Sequence, residues 1–124
     1  MTQLWSILVV DDSQEICDLV KAALEEELYE VACALTGSQA RTILAREAID
    51  LIILDYFLPG ETGRHIAELA GDLDIAVIIM TASPESIEDV GLLAAATIQK
   101  PFSLSELVSV MQGVLLESWQ KQRS

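Results

Sequence analysis

Five polar residues stand where apolar runs stop. Asp11 and Asp12 follow ILVV (7–10), Asp55 follows LIIL (51–54), Thr81 follows AVIIM (76–80), and Lys100 closes ATIQK (96–100). Two adjacent carboxylates at the end of an apolar run repel each other and lose hydration. Three carboxylates brought close together stay ionised only around a cation; without one, at least one pKa rises. Oxygen donors of this kind suit Mg2+, with waters and a backbone carbonyl completing the shell. A hard cation with free positions also holds a phosphoryl oxygen, a lysine ammonium holds a second, and a hydroxyl donates to a third. Carboxylates form acyl phosphates, which makes Asp55 a candidate nucleophile. In-line phosphoryl transfer demands mostly positioning and charge neutralisation, and these residue types supply both.

The elements that must position them are readable from periodicity. ILVV, LIIL and AVIIM are nearly pure apolar runs, with two weaker ones at YEVACAL (29–35) and ATIQK. Short Val- and Ile-rich runs without polar alternation fit strands covered on both faces. Between them lie helical patterns. Residues 14–28 place Ile16, Leu19, Val20, Ala23 and Leu24 on one side and Asp18, Lys21, Glu25 and Glu26 on the other. Further helices are expected over 38–47, over 62–71 with Gly71 as C-cap, over 84–94 behind Ser83 and Pro84, and over 103–120 behind the capping box Ser103 to Glu106. Five strand–helix repeats predict a parallel sheet between two helical layers. In such a sheet the carboxyl ends of all strands share one rim, where ligands bind. Asp11, Asp12, Asp55, Thr81 and Lys100 should therefore converge.

Composition bounds the partners. The 124 residues suit one domain, expected to span 1–124 with its core over about 6–118. Twenty acidic and seven basic residues leave a net charge of −13. A chain so acidic is a poor binder of nucleic acid or anionic membrane, since both need Lys and Arg against phosphate. MTQLWS carries no basic region before an apolar run, and no window reaches the length of a membrane span, so a cytoplasmic protein is expected. Cys17 and Cys33 lack metal spacing and read as buried small hydrophobes. His65, flanked at helical spacing by Glu61 and Glu68, reads as a solvated surface residue, and Glu25-Glu26-Glu27 as a solvated helix end. Trp5 and Trp119 are expected to pack the termini onto the domain.

The motifs together resemble the receiver domain of two-component response regulators. They are Asp11-Asp12 after ILVV, Asp55 in LDYFLPGETG, Thr81-Ala82 in IMTAS, and Lys100-Pro101-Phe102, and the resemblance runs over residues 6 to about 118. It implies a flavodoxin-like (βα)5 three-layer α/β sandwich with strand order 2-1-3-4-5. It implies that Asp55 accepts a phosphoryl group from the histidine of a partner kinase or phosphotransfer protein, with Mg2+ or Mn2+ present. Asp12 would ligate the metal directly and Asp11 mainly through water, beside Asp55 and the Phe57 backbone carbonyl. Thr81 would be the switch hydroxyl and Lys100 the phosphoryl-oxygen ligand, with a cis Lys100-Pro101 peptide. Pro59 and Gly63 would shape the following loop. The implied product is a signalling switch, not an enzyme, acting on an unknown output protein as a monomer or weak dimer.

Of three rival readings, two carry different signatures. An aspartyl-phosphate phosphatase would want a general acid two residues past Asp55, where Phe57 stands. A flavin module would want a Gly- and hydroxyl-rich loop in place of DDSQ. A receiver belonging to a hybrid kinase or longer regulator would share every motif.

The chain also departs from the family it resembles. Thr97 occupies the position of an aromatic residue that usually moves with the switch hydroxyl; a neighbour such as Leu93 is expected to fill the space. Phe57 and Ser83 occupy positions that tune acyl-phosphate hydrolysis, and the Phe57 ring is expected to shield the site from water. From 65 to 120 the chain has eight acidic residues and one Lys or Arg, Lys100. A charge-paired dimer through that region is therefore not expected.

Overall fold

The computed structural model describes residues 4–83 and 93–123. Five strands form one parallel sheet: β1 (Ser6–Val10), β2 (Glu30–Ala34), β3 (Leu51–Asp55), β6 (Ala76–Thr81) and β7 (Ala96–Gln99), in the order β2-β1-β3-β6-β7. This is the expected flavodoxin-like order, with the last two strands renumbered. The extra pair, β4 (Phe57–Leu58) and β5 (Glu61–Thr62), is a short antiparallel hairpin just past β3. Four helices complete the described chain: α1 (Gln14–Glu26), α2 (Gly37–Arg46), α3 (Arg64–Asp72) and α4 (Leu104–Arg123).

Strand alternation sorts side chains into two cores. Leu8, Val10, Ile52, Leu54, Val77 and Ile79 pack with Ala40 and Leu44 of α2 and Ile66, Ala67 and Ala70 of α3. Ile7, Val9, Leu51, Ile53, Ile78 and Met80 pack with Cys17, Val20 and Leu24 of α1 and Leu107, Met111 and Val114 of α4. β1 and β3 are buried on both faces, which is why they read as unbroken apolar runs.

Helix ends follow their caps. Ser13 Oγ accepts from Ile16 N at 3.2 Å, Thr36 Oγ1 from Gln39 N at 3.1 Å, and Ser103 Oγ from Glu106 N at 3.0 Å. The ends of α1, α2 and α4 fall within three residues of those expected, and at α3 two boundaries shift for a reason. The helix expected over 62–71 starts at Arg64, because Glu61 and Thr62 belong to the hairpin. Gly71 lies inside α3 and is not its C-cap; the cap is Leu73, and the left-handed residue is Asp74 (φ 61°). The helix expected over 84–94 lies outside the described residues, save Leu93 and Ala94, which are not helical.

Cys17 is buried and Cys33 only half-buried. Burial first, then the neighbouring Cys33, pushes the Cys17 thiol up to about 12, so it stays protonated and inert. His65 and Glu25, Glu26 and Glu27 are exposed, as expected. Trp5 packs against the α1/α4 core, while Trp119 is exposed beside it, lining a groove with Trp5, Tyr29 and Leu116.

Candidate functional site

Strand alternation also aims the polar residues. Ile7 and Val9 face α1 and α4, and so do Leu51 and Ile53, and Ile98. Two residues on from each last member come Asp11, Asp55 and Lys100. The sheet ladder keeps them level. Val10 pairs with Leu54 and Asp55 with Met80, while Lys100 N donates to Thr81 O at 2.8 Å. Three residues distant in sequence thus reach one rim on one face.

Their side chains meet there. Lys100 Nζ donates to Asp11 Oδ2 at 2.8 Å and lies 3.3 Å from Asp55 Oδ2. Asp11 is 1% exposed and Asp55 7%, whereas Asp12 is exposed. Carboxylate oxygens of Asp11, Asp12 and Asp55 lie within 4.8 Å of one another. Burial raises the Asp55 pKa above the ordinary carboxylate value; Lys100 pulls it down, Asp11 pushes it up, and the upward effects prevail. Burial alone would lower the Lys100 pKa, but its contacts with Asp11 and Asp55 outweigh that and raise it. The rim is therefore one cation short, with three carboxylates facing one ammonium. A hard dication bound by oxygens fits that donor set.

Backbone amides hold the carboxylates in place. Ser13 N donates to Asp11 Oδ1 at 2.9 Å, and Phe57 N to Asp55 Oδ1 at 3.3 Å. The second bond brings the β4–β5 hairpin onto Asp55. Gly63 N closes the hairpin by donating to Tyr56 O at 2.6 Å. Thr81 is fully buried and its Oγ1 accepts from Ser83 N at 3.0 Å. The Lys100-Pro101 peptide is cis, as expected.

Some sequence-based expectations change. Phe57 is half exposed, its ring edge-on to Tyr56 at 5.0 Å. Thr97 points to solvent on β7, and Leu93 is 39% exposed, so Leu93 does not bury itself in an aromatic residue's place. The hairpin and its partners escaped the sequence reading. Pro59-Gly60, a turn-forming dipeptide with Gly60 at φ 77°, was the available signal.

Comparison with known proteins agrees with this geometry. A family model described as the response regulator receiver domain matches residues 7–112. A CheY-like response regulator receiver domain protein from Methanospirillum hungatei has a structure that superposes with a TM-score of 0.88 at 32% identity, covering 96% of this chain and 99% of that one. The response regulator TrrA of Thermotoga maritima, solved in complex with Mg2+ and BeF, gives a TM-score of 0.81 at 32% identity, covering 90% and 99%. The chemotaxis response regulator CheY4 of Vibrio cholerae gives 0.83 at 27% identity over 90% and 99%. With the acidic rim typical of a phosphoacceptor site, the CheY-like sheet order and a family match over most of its length, the chain belongs to the response regulator receiver domains.

Proposed function

We propose that Asp55 is the phosphoacceptor, taking a phosphoryl group from a phosphohistidine of a partner kinase or phosphotransfer protein. The observation that carries this reading is the Lys100 ammonium set between Asp11 and Asp55 in a three-carboxylate rim. Asp55 uses one carboxylate oxygen to attack phosphorus. The P–N bond breaks, its electron pair stays with the donor imidazole, and an acyl phosphate forms on Asp55. Lys100 pairs with a phosphoryl oxygen as charge accumulates there. Thr81, whose hydroxyl now donates to Ser83 O at 3.3 Å, turns that hydroxyl to another phosphoryl oxygen. Asp12, Asp11, Asp55 and the Phe57 carbonyl would hold Mg2+ or Mn2+, which supplies charge neutralisation for a phosphoryl group entering an anionic rim.

An apolar groove of about 340 Å³ borders Lys100 and is lined by Ile16, Leu19, Pro101, Phe102 and Leu104. It gives a histidine-bearing partner a place to dock beside the acceptor. Modification places a dianion in a rim that now holds one cation, and this biases the equilibrium of the surface around Thr81 toward an output partner. No described helix is long and apolar enough to cross a membrane. The switch reading fits a cytoplasmic monomer or weak dimer without direct nucleic-acid contact.

The test is incubation with Mg2+ and acetyl phosphate or a candidate kinase, followed by intact mass. A gain of one phosphoryl group, lost in Asp55→Asn, is the expected result. Equal labelling of wild type and Asp55→Asn would refute the assignment.

A further inference from the structure

Glu61 lies on the hairpin that carries Phe57, with Leu58 opposite Glu61 and Phe57 opposite Thr62. Its carboxylate receives two parallel bonds from Arg41 of α2, Nη1 to Oε1 at 2.9 Å and Nη2 to Oε2 at 3.1 Å. The same carboxylate sits against Gly37, the first residue of α2. A Cβ built on Gly37 would lie 2.6 Å from Glu61 Cδ, and its nearest neighbours are all Glu61 atoms. Gly37 therefore leaves the space that Glu61 fills. The carboxylate also sits at the positive end of α2, where negative charge is favoured. Arg41's hydrogen bond holds the Glu61 carboxyl below its ordinary pKa range, so the pair stays charged through neutral pH.

We propose that Glu61, clamped by Arg41 over Gly37, is a positioning residue that fixes the β4–β5 hairpin and thereby the Phe57 backbone at the phosphoacceptor. The Phe57 amide already donates to Asp55, and its carbonyl is the ligand assigned to Mg2+ above, so this inference rests on that assignment. A hairpin of two residue pairs holds its own shape weakly. Tying it to α2 restricts the positions the Phe57 carbonyl samples before metal arrives. Arg41 and Glu61 are partly exposed, so their coupling is modest and sets the ceiling on the effect. The expected weakening of Mg2+ binding is about two- to fivefold.

Three variants separate positioning from stability. Glu61→Ala removes the anchor. Gly37→Ala displaces the carboxylate while keeping both charges, and alanine is the better helix former, so stability is held or raised. Arg41→Lys keeps the charge but loses the fork, and should fall between wild type and Glu61→Ala. Calorimetric Mg2+ titration is read beside urea unfolding of the metal-free chain and hydrogen exchange at the Phe57 amide. Glu61→Ala and Gly37→Ala should both weaken Mg2+ and speed exchange at Phe57, the latter with no loss of stability. Wild-type Mg2+ uptake with both variants unaltered overturns this inference alone. A wild-type chain that takes up no Mg2+ overturns the metal assignment and this inference with it.

Discussion

Asp55 is held at the rim by its neighbours more than it stabilises them. Burial and the Asp11 charge raise its pKa against the pull of Lys100, so its ionised form costs folding free energy in the metal-free protein. The folded pKa lies above the unfolded value of about 3.9. The native chain therefore keeps a proton that the unfolded chain loses, and stability falls as pH rises between the two values. Asp55→Asn should unfold at higher urea than wild type at pH 7, and the gap should close as pH drops below that window. A wild-type advantage at pH 7 without metal would show that Lys100 outweighs burial. Lys100 is the converse case. Lys100→Met leaves the carboxylate of Asp11, 1% exposed, without its cation and should cost about 2 kcal/mol in urea unfolding. At this scale much of the site was legible. Asp11, Asp55 and Lys100 follow core residues at i+2 spacing on three different strands, and a parallel sheet has no other place to put them. The Thr81 contact with Ser83 was not legible, because it depends on where a loop backbone turns.

At the scale of elements, apolar runs and caps located five strands and the described helices, since burial on both faces leaves an unmistakable pattern. The hairpin was missed for a physical reason. Its two residue pairs bury only Leu58, so periodicity has nothing to report, and its tie to α2 runs through Arg41, 20 positions before Glu61. The α1 cap allows a clean separation of scaffold from chemistry. Ser13→Ala removes the side-chain bond to Ile16 N but keeps the Ser13 amide on Asp11. It should cost about 1 kcal/mol of stability while leaving Mg2+ affinity near wild type. A large loss of affinity would mean that the hydroxyl, not the amide, organises the carboxylate. β7 makes a second case. Thr97 is exposed and brings no ring, so beryllofluoride should move amide resonances at Thr81 to Ser83 far more than at Thr97. A dominant shift at Thr97 would restore a strand-borne relay.

The whole molecule carries a net charge of −13, and that charge acts on both association and stability. On the described part of the region from 65 to 120, Glu68, Asp72, Asp74, Glu106 and Glu117 are all exposed. Two copies meeting through these surfaces would bring like charges together, so sedimentation of the phosphorylated chain at moderate salt should find no tight dimer. Net charge also blurs the reading of any metal effect, because every added salt screens self-repulsion and stabilises the fold over a Debye length of about 10 Å at 0.1 M. The remedy is to compare NaCl and MgCl2 at equal ionic strength. Screening alone makes their effects similar, whereas a site that binds Mg2+ only in the folded state adds RT ln(1 + [Mg2+]/Kd). At tenfold excess over Kd the addition is about 1.4 kcal/mol. Thermal unfolding should show this surplus for MgCl2 in wild type. It should shrink sharply in Asp12→Asn, which leaves the Lys100 contacts with Asp11 and Asp55 intact. Indistinguishable curves in the two salts would mean that the rim attracts cations only as part of the general negative field, and that the three carboxylates do not act as one ligand set.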